Sequence, residues 1–363
     1  MKAGPTVLVF PAWRSNPYLN ILSLAPRSQG FQFAGETDFY GFLRAARRLR
    51  RGDVAHIHWT SPIAQSALSE RDADSRVRQF ERALSGMRRR GVRIVWTVHN
   101  RLPHELTYRR QEQAIYRALA DAADAVHVMT ADTPSVIADV CVVPSEKVRV
   151  IPHPSYQGIY DTGITRTEAR ESFGLAPDEV AVLFLGQIRP YKGVTTLMRA
   201  ADRAARDDGR PLALLLAGHT PPGSLAELEP DMPSSVRTVT FFDFVPDGDI
   251  ARWFAAADVA VFPYRRILNS GSVHLAATFG VPAVLPDEPH LRDQYAGQSW
   301  VSFFDTASPE ESLTGMLSDS SLLEGVDPAD VRAFLEAVSP WRVSRLYGSL
   351  LEELSGRAVA EAS

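Results

Sequence analysis

Cysteine is almost absent: Cys141 stands alone in 363 residues. One thiol excludes a disulfide framework and a cysteine-based zinc site, and it fits a reducing compartment, the cytoplasm. Lysine is nearly as scarce. Lys2, Lys147 and Lys192 are the lysines among 39 basic residues, so a lysine in a chemically sensible position carries unusual weight. No apolar run approaches the ~18 residues of a membrane span. The first run, Val7 to Phe10 in MKAGPTVLVFPAW, is too short for a secretory core and reads as a strand. The loop after it lacks G-x-G-x-x-G, which counts against a dinucleotide dehydrogenase. Asp72-Ala73-Asp74 lies on a helical segment and not in a ligand loop.

What is present is ordinary for a globular chain: 45% hydrophobic and 23% charged residues, at a length suited to two domains. The net charge of −4 conceals an asymmetry. Residues 1–150 carry 22 Lys+Arg against 14 Asp+Glu, a balance of +8, and the remainder has a balance of −12. A basic front half suits an anionic partner, either nucleic acid or a membrane surface. Its arginines concentrate in FLRAARRLRR (42–51) and Arg88-Arg89-Arg90. These read either as a solvated helix face or as a patch that meets anionic lipid.

Short apolar runs alternate with helical periodicity. The front strands are expected at Thr6–Phe10, Val54–Trp59, Val92–Val98, Ala125–Met129 and Val148–Ile151. Those of the back half are expected at Val180–Leu185, Leu212–Ala217, Thr238–Phe242, Val259–Phe262 and Ala283–Leu285. Runs such as LALLLA are apolar throughout, the mark of parallel strands covered on both faces. The intervening segments Phe39–Arg50, Val77–Arg89, Arg109–Ala122, Thr195–Arg206 and Ile250–Ala256 are expected as helices. The fold class is therefore α/β, with two doubly wound Rossmann-like domains facing across a cleft. The aperiodic stretch 151–165 reads as a linker. Domains are expected at 1–160 and 161–338. Residues 339–363 form a last helix that crosses back to the front domain through Trp341, Val343, Leu346, Leu350, Leu351 and Leu354, followed by a tail without structure.

Ligands in such folds bind beyond the carboxyl ends of the strands. Gly186-Gln187-Ile188-Arg189-Pro190-Tyr191-Lys192-Gly193 follows one strand. Its glycine admits a close backbone approach, and Arg189 and Lys192 suit a diphosphate. Tyr264-Arg265-Arg266-Ile267-Leu268-Asn269-Ser270-Gly271-Ser272 follows another and opens a helix. Its serines read as an N-cap, as donors to an anion, or as both. In the front half His99 ends a strand, as a hydrogen-bonding ligand in the cleft or as a structural histidine. Glu105 follows as a general base or as a carboxylate at a helix start. His56 and His58 share a face, but no nearby carboxylate or thiol completes a metal site. His58 and Trp59, with Asn16 and Tyr18 of the first loop, are expected to line an acceptor site.

The phrases ADVAVFPYRRILNSGSVHLAATFGVPAVLP and GQIRPYKG resemble the donor-binding region and diphosphate loop of GT-B glycosyltransferases, family 4 and its relatives. Phe244-Val245-Pro246-Asp247 looks like their nucleotide-base loop. The resemblance covers most of the chain and is strongest over 180–290. PYRxxxxSG is more similar to bacterial exopolysaccharide mannosyltransferases. Where many family 4 enzymes carry two glutamates eight positions apart, this chain has Ile267 and Leu275.

The resemblance implies a hexosyltransferase, with GDP-mannose the first donor and a lipid-linked glycan the acceptor, in polysaccharide synthesis. It acts without a cofactor or required metal, peripheral to the inner membrane face, and without a nucleic-acid partner. His99 and Glu105 are its catalytic candidates. Gly186, Arg189, Lys192, Asn269, Ser270, Gly271 and Ser272 would bind the diphosphate, and Val245, Pro246, Tyr264 and Arg265 the nucleotide and sugar. Other readings are a soluble small-molecule glycosyltransferase, a phosphorylase or epimerase on the same scaffold, and a non-catalytic nucleotide-sugar or polyanion binder.

Overall fold

The computed structural model describes residues 4–13, 16–103, 105–208, 211–221 and 223–356. The tail beyond residue 356 lies outside them, as do Arg14, Ser15 and His104 of the front loops. Two compact units form, Met1–Pro154 with Pro340–Ser363, and Ser155–Ser339.

The first unit holds β1 (Thr6–Phe10), β2 (Gln32–Gly35), β3 (Val54–Ile57), β4 (Arg93–Thr97), β5 (Ala125–Val128) and β6 (Val148–Val150). They form one parallel sheet ordered β2-β1-β3-β4-β5-β6. The second holds β7 (Val180–Leu185), β8 (Leu212–Ala217), β9 (Arg237–Phe241), β10 (Val259–Val261), β11 (Ala283–Pro286) and β12 (Val301–Phe304). Its parallel order is β12-β11-β10-β7-β8-β9. Each sheet reverses direction once, between β1 and β3 and between β7 and β10. The loops after those strands diverge there and open a crevice at the carboxyl edge.

The central strands form because helices cover both faces. All six residues of β8 are buried, and at about 2 kcal/mol per buried leucine its four contribute about 8 kcal/mol before the entropy of ordering. The strands absent from the sequence reading, β2 and β12, are sheet edges. β2 (QFAG) is mostly exposed, so burial imposes no apolar run on it. The helix expected from Val77 begins earlier, at Glu70, where the Ser69 hydroxyl accepts from Asp72 N–H. The helix expected to reach Arg50 ends at Ala46.

The helices Phe39–Ala46, Glu70–Arg89 and Arg109–Ala122 cover one side of the first sheet. Pro17–Leu22, Leu24–Ser28 and the C-terminal helix Pro340–Ser355 cover the other. The face that the last helix buries differs from the expected one. Trp341 and Leu346 point to solvent, while Ser344, Tyr347 and Gly348 join Val343, Leu350 and Leu351 inside. Close approach is the reason. Ser344 Oγ donates to Leu22 C=O (2.9 Å) and accepts from Ala25 N–H (2.8 Å). A β-carbon on Gly348 would lie 2.3 Å from Gln29 Oε1. Small and polar positions therefore sit at the contact and larger apolar ones are displaced.

Candidate active site

In the second unit the loops after β7 and β10 are held together by backbone. Arg265 N–H donates to Tyr191 C=O at 2.8 Å. Gly193 has φ 67°, and a β-carbon there would stand 2.0 Å from Pro263 O, so no other residue fits. Lys192 is anchored by this contact, its Nζ 3.7 Å from the centroid of the buried Tyr264 ring. No carboxylate pairs with Lys192 among the described residues.

The helix Gly271–Thr278 starts beside it. Ser270 occupies the N-cap position, but its hydroxyl makes no capping bond and instead lies 3.4 Å from Tyr264 Oη. The first turn has no acidic residue. Its N–H groups and the positive end of its dipole therefore lack a side-chain anion. Ser272 Oγ lies next to Gly186, 3.5 Å from where a β-carbon would stand. Gly186, Lys192, Ser270, Gly271 and Ser272 thus converge at the β7/β10 crevice, with Asn269 one residue before the N-cap. That arrangement can receive a phosphate group.

Arg189 and Arg265 line a neighbouring hollow of about 190 Å³ with Thr195, Ser224 and Glu227, and Lys192 is not part of it. Val245 and Pro246 lie in the loop after β9. The more prominent residue there is Phe244. It is 65% exposed and stacked on His219, with ring centroids 4.5 Å apart and planes 6° apart. Sequence reading placed Phe244 in this loop phrase but missed its partner His219, which lies 25 positions earlier after another strand. Leu275 is buried in its helix, and the Ile267 carbonyl accepts from His290 Nε2 at 3.1 Å. Neither position offers a carboxylate.

In the first unit five histidines cluster beneath the carboxyl edge. His127 Nε2 faces the Ile151 carbonyl at 2.8 Å and must donate to it. Burial pushes His127 down to about 4, so its ring is neutral and Nδ1 accepts from the Thr97 hydroxyl (3.0 Å). Thr97 Oγ1 then accepts from His56 Nε2–H (2.7 Å), and His56 Nδ1 accepts from the Tyr347 hydroxyl (2.6 Å). One backbone carbonyl thereby sets the direction of a buried chain running from the C-terminal helix across three strands.

His58 leans on His56 with centroids 3.9 Å apart and planes 35° apart, and its Nδ1 meets His99 Nε2 at 3.0 Å. Burial holds both His58 and His99 well below 6.5, and each is lowered further by a neighbouring histidine. Above this pair the Trp59 and His99 rings stack at 4.1 Å, and Trp13 leans on Trp59 at 4.8 Å. The result is a partly exposed aromatic platform at the β1/β3 crevice. Tyr18 is buried edge-on against His58 and His99, and Asn16 caps its helix by accepting from Tyr18 N–H at 3.1 Å. Both support the platform from below.

Glu105 is exposed and lies outside any helix; the following helix starts at Arg109 and carries Glu112 in its first turn. Glu112 is buried, and desolvation raises its carboxyl above the usual range. It accepts from Thr60 Oγ1 and from Gln65 Nε2 (2.6 Å). Gln65 Oε1 in turn accepts from the Thr107 and Tyr108 amides. This set pins the loop that carries Glu105. Among the described residues no group of three or more His, Cys, Asp or Glu is arranged to hold a metal, and no helix is long and apolar enough to cross a membrane.

Two six-stranded parallel Rossmann-like units, each with its ligand crevice at the strand reversal, are the architecture of GT-B glycosyltransferases. Residues 5–154 match the family described as Glycosyltransferase Family 4, and residues 179–317 match Glycosyl transferases group 1. The first unit carries the one glycosyltransferase domain and the second unit the other, and the chain is an enzyme of the glycosyltransferase class. A GDP-mannose:glycolipid 4-beta-D-mannosyltransferase of Xanthomonas campestris pv. campestris is 26% identical over 87% of this chain and 84% of its own length. A D-inositol 3-phosphate glycosyltransferase of Nocardia farcinica is 30% identical over 55% of this chain and 46% of its own length. The fold is shared with Anabaena HepE in complex with UDP and glucose (TM-score 0.71, 12% identity, 96% of this chain and 100% of that one). It is also shared with sucrose-phosphate synthase of Thermosynechococcus elongatus (TM-score 0.73, 14% identity, 97% and 99%).

Proposed function

We propose that the enzyme transfers mannose from GDP-mannose to a glycan carried on lipid, in polysaccharide synthesis, as a peripheral protein on the cytoplasmic membrane face. The observation that carries a nucleoside-diphosphate donor is the convergence of Gly186, Lys192 and the start of the helix Gly271–Thr278. The choice of mannose and a lipid-borne acceptor is supported by the likeness to the Xanthomonas glycolipid mannosyltransferase across most of both chains.

In this reading an acceptor hydroxyl attacks C1 of the sugar and the C1–O bond to the β-phosphate breaks. The bonding pair leaves with the diphosphate, and the hydroxyl proton passes to a base. Lys192 and the helix N-terminus stabilise the charge that grows on the leaving group, in the place a metal ion would otherwise take. Arg189 and Arg265 approach the donor from the neighbouring hollow, with Phe244, Val245 and Pro246 on its nucleotide side. Trp59 stacks on the acceptor glycan. Glu105, on its pinned loop, takes the proton, and His99 hydrogen-bonds the transferred sugar. Ile267 and Leu275 remove the carboxylates that many relatives would use, which suits a single displacement with inversion.

The test is nucleoside diphosphate release from a panel of GDP- and UDP-sugars, with and without lipid-linked and soluble glycans and with a chelator. Release from GDP-mannose, dependent on a lipid-linked glycan and insensitive to chelation, is expected. Faster release with a UDP-sugar or a small soluble acceptor overturns that donor or acceptor, and no release with any donor leaves a binding protein.

A further inference from the structure

The arginine clusters of the sequence come together on one side of the first unit. The helices Phe39–Ala46 and Glu70–Arg89 leave a hollow of about 500 Å³ between them. Its floor includes Leu43, Ala46 and Ala83, and Arg47, Arg82 and Arg90 stand around it. A second hollow, of about 440 Å³, shares Arg82 and adds Arg78 and Arg89. Some arginines of this unit meet carboxylates: Arg76 meets Asp72, Arg93 meets Asp124, Arg101 meets Asp139 and Arg110 meets Asp74. Here Arg47, Arg78, Arg82 and Arg89 are exposed, and none of them pairs with a carboxylate among the described residues. Glu81 is the one acidic side chain lining the two hollows. Arg90 is used internally, donating to the Leu49 and Ala46 carbonyls.

The same face carries apolar side chains at its upper rim. Leu68 precedes the longer helix and is 93% exposed, and Tyr40, in the first turn of the shorter one, is 45% exposed. Both helices run antiparallel to the strands, so Leu68 and Tyr40 stand at the carboxyl edge and the arginines extend from mid-helix toward the amino edge. Leu68 is tied to the site loops, because Tyr108 Oη donates to the Ala67 carbonyl at 3.3 Å.

We infer that this face docks on an anionic phospholipid bilayer. Arg47, Arg78, Arg82 and Arg89 take lipid phosphates, and Leu68 and Tyr40 enter the interfacial layer. Unpaired guanidinium groups around a floor in which Leu43, Ala46 and Ala83 alternate with Ser75 and Gln79, with Leu68 and Tyr40 at the rim, match a surface whose phosphates lie just above hydrocarbon. A nucleic acid would use the arginines but give Leu68 nothing to contact. The orientation also suits the chemistry. A bilayer along the helix layer runs parallel to the strands and meets the carboxyl edge at Leu68, on the segment that follows β3 and also carries Trp59. A lipid-borne glycan would then reach the platform without leaving the membrane. In purpose the inference rests on the lipid-acceptor reading, but its measurement does not.

The full chain is floated with phosphatidylcholine vesicles and with mixed phosphatidylglycerol/phosphatidylcholine vesicles, at low and high salt. Binding to the anionic vesicles alone is expected, weakening steeply with salt. Each arginine near such a surface is worth about fivefold in partition. The triple variant Arg47→Ser/Arg82→Ser/Arg89→Ser should therefore bind about 100-fold more weakly, with its melting temperature and its binding of GDP unchanged. Leu68→Ser should remove the binding that survives salt. Absence of the wild type from the anionic vesicles at low salt, or equal flotation of the triple variant, overturns the inference. So does competition by RNA that strips the protein from vesicles at matched phosphate. Vesicle binding without turnover of any donor would instead leave the docking face standing and remove the proposed reaction.

Discussion

Mild acid should unfold the first unit, and the buried histidines set the size of the effect. His56, His58, His127 and His153 are each under 10% exposed. Burial lowers all four below 6.5, His127 and His153 to about 4. In the unfolded chain each takes up a proton near pH 6.5. Between that value and about 4 the unfolded state therefore holds more protons than the native one. The native values are depressed, so the contribution is complete above pH 6.5 and is lost as the pH falls. One pH unit below 6.5 the loss is about 1.4 kcal/mol per histidine, or about 5–6 kcal/mol for four. That is comparable with the whole stability of a domain, about 5–15 kcal/mol. Asp and Glu of the unfolded chain titrate near 4, below the pH 5.5 of the measurement, and the raised carboxyl of Glu112 opposes the histidines by a single group. Urea unfolding followed by tryptophan fluorescence at about pH 7.5 and about pH 5.5 reads the effect, Trp96 being buried beside Tyr116 in this unit. A large fall in midpoint at constant slope is expected. A midpoint that holds or rises on acidification would refute the account of neutral, mutually bonded rings.

Three further outcomes follow from the geometry. Lys192→Ala should lower nucleoside diphosphate release about 100-fold with an unchanged melting temperature, because it removes one preorganised charge at the leaving group; equal kinetics would remove Lys192 from the site. Gly193→Ala should be worse than its size suggests. It combines a positive φ with a β-carbon 2.0 Å from Pro263 O, so both the melting temperature and release should fall, and a silent substitution would mean that the two loops are not in contact. Trp59→Ala should raise the KM for acceptor about tenfold, in line with the loss of roughly 1–2 kcal/mol of aromatic contact, while donor-only hydrolysis stays the same; a change confined to kcat would contradict a platform role.

The alternation of strands and helices was legible because a strand covered on both faces can hold little besides apolar residues. LALLLA, VAVLFL and RIVWT declare themselves in that way. QFAG does not, because β2 lies at an edge and answers to one neighbour only. The glycine-, lysine- and serine-bearing loop phrases of the candidate site were legible for a related reason. Glycine, lysine and small hydroxyl residues at strand and helix ends are demanded by backbone geometry within a few residues, so the chemistry is written locally.

Contacts between distant segments were decided only in three dimensions. Sequence periodicity assigned Trp341 and Leu346 to the buried face of the last helix. The helix instead turns Ser344, Tyr347 and Gly348 inward, because two bonds to Ser344 and the close pass at Gln29 select small and polar side chains there. His56 and His58 looked like a two-residue motif. Their partners are Tyr347, Thr97 and His99, up to 291 positions away. Arg189 and Lys192 are three residues apart, yet one lines a hollow with Arg265 and the other rests on Tyr264. Local sequence determined which segments are strands, which loops end them and which residue types those loops carry. Only the order of the strands decided which side chains meet, because hydrogen bonds and ring contacts act over a few ångströms of space and are indifferent to separation along the chain.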